Sequence, residues 1–386
     1  MRNNNTKNIL VCPLYWGAGH AARVQLIGAC LRKKGHRVII AAPGILHKTF
    51  GDESYDELIH LGSPGVLYSR YLPQYLAILL QFPLFLIALL ADRLRLPGII
   101  REHDVDLVIS DNRFGLWSRR TPCVYITHQL SIPLPEFLSF AGPFVSSIHR
   151  YIAGRYDECW IPDLPGDKNL SGKLSHECRL PARTRYIGIL SRFAIPNAPH
   201  LRWRGSPPNA GADLQIRAKA PGMTGYTLAL LSGPEPQRSI LENIIISQKD
   251  KLAGSLVIVA GRPGDLTNTL GDGLARYSWL DGASLVKFVE EADLVICRPG
   301  YSTIMDLFTL RKTALLVPTP GQPEQEYLAS WLSGKYGFTT ISQKELARTD
   351  IFPPVQKAAE WPVTGNEMLD DALEAILKKL PSQARG

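Results

Sequence analysis

The sequence predicts an α/β protein of two domains, each a mostly parallel sheet wound on both faces by helices. Three observations carry that prediction. The apolar segments are short unbroken runs rather than alternating ones, as strands covered on both faces require. Segments with apolar residues at helical spacing stand between several of them. The pattern then restarts after a stretch rich in Pro and Gly, and 386 residues are enough for two ordinary domains.

The first run is Asn8 to Pro13, followed by a Gly-containing turn and a predicted helix over Ala21 to Lys34, with Val24, Ile27, Cys30 and Leu31 on one side and Gly35 closing it. Further strands are expected at His36 to Ala42, Asp106 to Ser110, Val124 to Thr127 and Cys159 to Pro162. The second series comprises Tyr226 to Leu231, Leu256 to Ala260, Asp293 to Cys297 and Thr313 to Pro318. Its helices are expected at Ile240 to Lys249, Ser284 to Glu291, Thr303 to Leu310 and Gln325 to Leu332. Between the two series, Phe193 to Met223 carries Pro196, Pro199, Pro207, Pro208 and Pro221, which propagate neither helix nor sheet. The expected division is therefore 1–192, a linker or insertion at 193–223, and 224–386.

Composition narrows the class of protein. Hydrophobic residues make up 45% and charged residues 20%, which excludes a disordered chain. The net charge of +8 favours anionic partners: nucleotide phosphates, nucleic acid or an anionic membrane surface. Basic residues are scattered, with no aromatic-basic motif and no basic helix, so nucleic acid is rejected. The six cysteines lie far apart without a C-x-x-C pair or zinc spacing, so neither a metal site nor a disulfide framework is expected. A polar start and only a short apolar run, Ile9 to Cys12, read as no secretion signal and a cytoplasmic protein.

Tyr75 to Ala91 is the most apolar stretch. It approaches the roughly 20 residues of a membrane span, but Gln81 is polar and Pro83 interrupts it. A kinked buried helix is the first expectation. Contact with a membrane surface, aided by Arg70, Arg93, Arg95 and Arg101, and a full span are the alternatives.

Chemistry-bearing residues gather where strands end. Gly17 and Gly19 precede the first helix, where small residues let a ligand approach and helix-start N–H groups attract anions. This turn lacks the third glycine of a dinucleotide fingerprint and the Lys-Ser/Thr of a P-loop, so both are rejected. His20 stands at the same turn, with an ordinary pKa near working pH, and is a candidate general base or a packing histidine. Asp111, Asn112, His128 and Gln129 end two further strands and are candidates for the acceptor side, with strand-end capping as the rival reading. Asp104-Val-Asp106 has the form of a metal signature but precedes its strand, and is discounted.

The richest constellation is Arg298-Pro-Gly-Tyr-Ser-Thr-Ile-Met-Asp306, then a strand, then Pro318-Thr-Pro-Gly-Gln-Pro-Glu-Gln325. Ser302 and Thr303 open a helix able to take a diphosphate at its start, and Asp306 lies one turn in. These motifs resemble the donor-binding half of GT-B glycosyltransferases, most closely family 28, which includes the bacterial N-acetylglucosaminyltransferase of the lipid-linked peptidoglycan precursor. The Gly17-x-Gly19-His20 turn is similar to that family's acceptor-side loop. Tyr186 to Arg192 is similar to its interdomain junction, and Ser232 to Arg238 to its second glycine-containing loop. Trp16 and Ala18 stand where the peptidoglycan enzyme is glycine-rich, and Asp306 where the family often has Glu.

The resemblance implies a GT-B fold, two Rossmann-like domains facing a cleft, and an inverting transferase. It implies a UDP-linked donor, with N-acetylglucosamine or a related hexose transferred to a lipid-linked or polysaccharide acceptor. Asp306 would hold the ribose, Ser302 and Thr303 the diphosphate, and Glu324 with Gln325 the sugar hydroxyls, with Arg298 and Gly300 also in the donor-binding set. Arg192, Ser232 and Gly233 would approach the nucleotide. No cofactor and no metal are expected beyond the donor itself, and the location would be cytoplasmic or peripheral on the inner face of the membrane. A nucleotide-sugar epimerase and a non-catalytic membrane-recruiting nucleotide-binding partner are the alternatives.

Overall fold

The computed structural model describes residues 6–14, 18–62, 65, 67, 74–194, 225–262, 269–271, 273–354, 360–362 and 365–381. Gly17, and the expected linker from residue 195 onward, lie outside the described residues. The described chain forms two compact units, each built on its own sheet.

In the first unit the chain runs through β1 (Asn8–Pro13), α1 (Ala18–Lys33), β2 (Arg37–Ala42), β3 (Glu57–His60), α2 (Gln74–Glu102), which belongs to this unit from Leu80 onward, and β4 (Leu107–Asp111). It continues through β5 (Cys123–Ile126), α3 (Gly142–Ala153), β6 (Glu158–Ile161) and β7 (Thr184–Tyr186). Among the described residues the sheet has the order β3-β2-β1-β4-β5-β6-β7 and every pairing is parallel. β1, β4, β5 and β6 are buried along their whole length, which is why they read as unbroken apolar runs. Leu10, Ile39, Val108, Tyr125 and Ile161 share one core cluster with Leu96 of α2. α1 stops at Gly35, whose φ of 84° suits a residue without a Cβ.

The second unit contains β8 (Tyr226–Leu230), α4 (Gln237–Ser247), β9 (Ser255–Val259), β10 (Thr269–Gly271), β11 (Leu274–Tyr277) and α5 (Gly282–Glu291). β12 (Leu294–Cys297), α6 (Tyr301–Thr309), β13 (Leu315–Leu316), α7 (Pro323–Leu332), β14 (Thr339–Thr340) and α8 (Gln343–Leu346) follow. The order is β10-β11-β9-β8-β12-β13-β14, parallel throughout except for the β10–β11 pair.

Two expectations are corrected here. The second domain does not run to 386, because the last helix, α9 (Glu367–Leu377), groups with the first unit, whose parts are Met1–Val66, Leu80–Ile195 and Thr364–Gly386. α9 buries Leu369, Ala372, Leu373 and Ile376, a single helical face. Lys34, just past α1, pairs with its Asp370 and Glu374 at 3.2 and 3.1 Å, and Lys379 reaches Glu158 of β6 at 2.5 Å. The second correction concerns Tyr75 to Ala91, which is not a buried helix. It lies in α2, which continues through Pro83 and Pro97, and only 11% of its most apolar window is buried.

Candidate active site

In the first sheet β1 lies between β2 and β4, so the chain leaves it in opposite directions on its two sides. Doubly wound sheets bind ligands at the carboxyl ends of strands at such a point. β1 leads into α1, placing His20 in the first turn of that helix, and β4 ends at Asp111. The Leu14 N–H donates to the Asp111 carbonyl at 2.9 Å and ties the two strand ends together. Gly19 sits beside His20 in the same first turn.

His20 Nδ1 is 2.8 Å from Asp111 Oδ2, and Arg23 Nη2 is 2.9 Å from Asp111 Oδ1. Arg23 Nη2 also stands 2.7 Å from His20 Nδ1. Asp111 can only accept and Arg23 can only donate, so Nδ1 carries the proton when it serves Asp111, and that tautomer leaves the lone pair on Nε2. Asp111 is fully buried, Arg23 is 2% exposed and the His20 side chain 14% exposed. Burial pushes His20 below its ordinary pKa; Asp111 pulls the other way, and Arg23 and then His128 reinforce the fall. Burial alone would raise the Asp111 carboxyl, but Arg23 and then His20 outweigh it and hold that group below the usual carboxylate range. The result is a neutral imidazole at working pH, oriented by a buried anion and able to accept a proton.

Arg23 was not singled out in the sequence. The signal that could have found it is its place three residues after His20, on the same helical face. Asp111, expected to face an acceptor, is instead an internal partner of His20. Asn112 adopts φ of 60° directly after β4 and donates its N–H to the Ile126 carbonyl. Its Oδ1 accepts from Tyr125 Oη at 2.8 Å, and the same hydroxyl lies 2.9 Å from His149 Nε2. Burial pushes His149 down to about 4, so the neutral ring donates to Tyr125 while Tyr125 donates to Asn112. His128 is buried after β5, and the N–H of half-buried Gln129 donates to Thr127 Oγ1. Asp106 accepts from the Asn8 N–H at the opposite, amino end of β4, so the Asp104–Asp106 pair is remote from these residues.

The second sheet has the same arrangement, with β8 between β9 and β12. Ser232 and Gly233 follow β8, Gly233 being exposed with φ of 95°. Gly300 precedes α6, and no described side chain caps that helix's first turn. Its leading N–H groups therefore form an anion-binding end. Ser302 is half-buried there, while Thr303 and Asp306 are buried on the inner side.

Arg298 is turned away from the ligand role expected of it. It is 1% exposed, and its guanidinium donates to the carbonyls of Val317, Pro318 and Gln237 and to Gln343 Oε1, bracing the loop after β13. Gln325 shares this structural work, since its Oε1 accepts from the Thr319 N–H at 2.9 Å while its own N–H donates to Gln322. Glu324 is half-buried at the start of α7. Arg192 stands over the Phe193 ring in the first unit, 5.1 Å from its centroid.

Comparison with known proteins agrees with this architecture. Residues 242–380 match the glycosyltransferase family 28 C-terminal domain. An uncharacterized glycosyltransferase of Methanopyrus kandleri is 26% identical over 102 residues, a stretch spanning 26% of this chain and 29% of that relative. Among solved structures, the spinosyn rhamnosyltransferase SpnG superposes with a TM-score of 0.57 at 14% identity, covering 97% of this chain and 92% of its own. SsfS6, a glycosyltransferase of Streptomyces sp. SF2575, gives 0.55 at 14% identity with 97% of each chain covered. The kitacinnamycin glycosyltransferase gives 0.52 at 16% identity, covering 98% and 92%. The chain has the fold of GT-B glycosyltransferases, and its residues 242–380 carry the glycosyltransferase family 28 C-terminal domain.

Proposed function

We propose that this protein transfers a sugar, N-acetylglucosamine or a related hexose, with inversion from a UDP-sugar to a lipid-linked or polysaccharide acceptor. The observation that carries the reading is the buried Arg23–Asp111–His20 group at the switch point of the first sheet. In the proposed step the acceptor hydroxyl gives its proton to His20 Nε2 as its oxygen bonds to the anomeric carbon. The bond from that carbon to the diphosphate breaks, and the diphosphate leaves with the electron pair. The N–H groups at the start of α6, with Ser302 and Thr303, stabilise the charge that develops on it. Ser232, Gly233 and Gly300 line the approach of the nucleotide, Asp306 accepts from the ribose, and Glu324 with Gln325 holds the sugar hydroxyls. Asn112, His128 and Gln129 face the acceptor. SsfS6 has been seen with thymidine diphosphate, which supports a nucleoside diphosphate donor.

Incubation with labelled UDP-sugars and a membrane lipid extract tests the reading. A new labelled glycoside supports it, whereas an epimerised donor or no turnover contradicts it. Asp306→Ala is expected to weaken UDP binding by about 1–3 kcal/mol, the scale of a lost hydrogen bond involving a charged group. Calorimetry showing unchanged affinity in the folded variant would remove Asp306 from the site. Helix N–H groups take the part a cation would play, so transfer is expected to persist in EDTA. Activity abolished by EDTA and restored by a divalent ion would overturn that expectation. A lipid-linked acceptor places the protein in the cytoplasm, peripheral on the inner face of the membrane.

A further inference from the structure

We propose that Asn112 is a specificity-determining residue of the acceptor site, offering N–H donors and no acceptor to an oxygen substituent beside the attacking hydroxyl, and that Tyr125 and His149 are the positioning residues that fix it so. The inference deepens the transfer proposed above and rests on that reading. It begins from a polar relay built into an apolar core. Tyr125 of β5 is fully buried within the core cluster of the first unit, and His149 of α3 is buried beside it. A hydroxyl and an imidazole in such surroundings cost stability unless each is hydrogen-bonded. His149 Nε2 stands 2.9 Å from Tyr125 Oη, which stands 2.8 Å from Asn112 Oδ1. Tyr125 has one proton to give and the amide oxygen only accepts. That proton therefore goes to Asn112, and the His149 Nε2–H completes the chain.

The relay ends at Asn112, its one member that is not fully enclosed. Packing holds the rings that feed it: Phe114 lies edge-on to His149 with centroids 5.2 Å apart, and Tyr156 lies 5.0 Å from Tyr125. The backbone is fixed as firmly as the side chain. Asn112 takes φ of 60°, a conformation Asn tolerates better than most residues, and its N–H donates to the Ile126 carbonyl at 3.0 Å. The carbonyl of the next residue, Arg113, accepts from Ser110 Oγ and from Tyr156 Oη, each at 2.7 Å. With Oδ1 committed to Tyr125, the amide cannot turn over without losing that bond. What it keeps for a ligand is Nδ2, which has no hydrogen-bond partner among the described residues.

The place of this donor in the chain gives it a role. Asn112 directly follows Asp111, whose carboxylate orients His20 from 2.8 Å. An acceptor hydroxyl set on His20 Nε2 therefore brings its neighbouring substituents to the strand end that carries the amide. N–H donors suit a hydroxyl, the carbonyl of an acylated amine or a carboxylate. They disfavour a free ammonium, which has only donors of its own. The acceptor class is thus a saccharide with an oxygen-bearing or acylated group next to the hydroxyl that attacks.

Initial rates with labelled UDP-sugar and increasing amounts of membrane lipid extract test this, with UDP titrated by calorimetry on the same samples. Asn112→Gly suits the positive φ and removes the amide. It is expected to raise the half-saturating amount of extract about tenfold, the loss falling there rather than in kcat. Tyr125→Phe releases the amide and is expected to raise half-saturation about three- to tenfold. The double variant is expected to be no worse than Asn112→Gly alone, because Tyr125 acts through Asn112. UDP affinity and the acidic limb of the pH profile keep their wild-type positions throughout. Unchanged half-saturation in Asn112→Gly, or additive effects in the double variant, overturns the proposal. So does a displaced acidic limb, which would show the relay serving Asp111 instead. If Tyr125→Phe fails to fold, Asn112→Gly decides the matter alone. Wild-type protein that forms no glycoside strikes the proposed transfer and this inference with it, whereas wild-type transfer with an indifferent Asn112→Gly strikes this inference only.

Discussion

His20→Ala lowers the rate of sugar transfer by roughly 10²-fold or more, while UDP affinity stays within a factor of about two. The expectation follows from what the imidazole does in the proposed step. A positioned base contributes typically 10²–10⁴-fold, and the donor groups named for UDP reside on the second sheet. The measurement is kcat with saturating donor, alongside calorimetric titration of UDP. Near wild-type transfer in a folded variant would remove His20 from catalysis and turn attention to His128. A parallel loss of UDP affinity would mean that His20 acts through structure.

Arg23→Met has the second large effect, and it acts on both stability and pH dependence. Arg23 is 2% exposed and Asp111 fully buried, so removing the cation leaves a buried carboxylate with His20 as its remaining named partner. Breaking a buried ion pair in this way costs about 3–5 kcal/mol, readable as a lower denaturant midpoint. The sign with pH is fixed by the two shifts. Asp111 and His20 are both held below their ordinary values. Each group therefore contributes stability that is present above its unfolded pKa and lost as pH falls through the folded one. Catalysis needs neutral His20, so the acidic limb of the wild-type kcat/KM profile lies below pH 6.5, the ordinary histidine value. Arg23→Met removes the charge that disfavours imidazolium while leaving Asp111 in place, and the limb moves upward. Arg23→Lys keeps the charge and holds the limb near its wild-type position. A limb unmoved in folded Arg23→Met would refute the positioning role.

Much of the fold was legible because burial on both faces writes itself into the sequence. β1, β2, β4, β5, β6, β8, β9 and β12 fall within a residue or two of their apolar runs. The elements that escaped notice lie mainly at the edges of the sheets. β3 is half-exposed, β7 has three residues and β14 two, too short for any periodicity to emerge, whereas β13 lies within the run expected at Thr313 to Pro318. α9 carries a clear apolar stripe, yet nothing local says on which unit that stripe is buried; only its contacts with Lys34, just past α1, and with β6 decide it. The exposure of Phe144 and Tyr151 on α3 is likewise invisible, since an apolar helical face reads alike whether it is buried or exposed.

The same limit appears at the strand ends. His20 and Asp111 were found because both stand where a doubly wound sheet opens, but their direct bond joins residues 91 positions apart in the chain. Arg23 has the sequence signature of an ordinary helix residue, and only its burial against Asp111 reveals its part. Arg298 shows the opposite case. The motif located the loop, whereas the guanidinium turned out to brace that loop from beneath.

The most direct test of the central claim, a single displacement assisted by His20, is the anomeric configuration of the product. The glycoside formed from an α-linked UDP-sugar is isolated and its anomeric proton coupling measured by NMR. A β-linked product is what direct attack by a His20-deprotonated acceptor hydroxyl yields. An α-linked product would require two displacements or a front-face path, and would contradict the mechanism drawn from the Arg23–Asp111–His20 group.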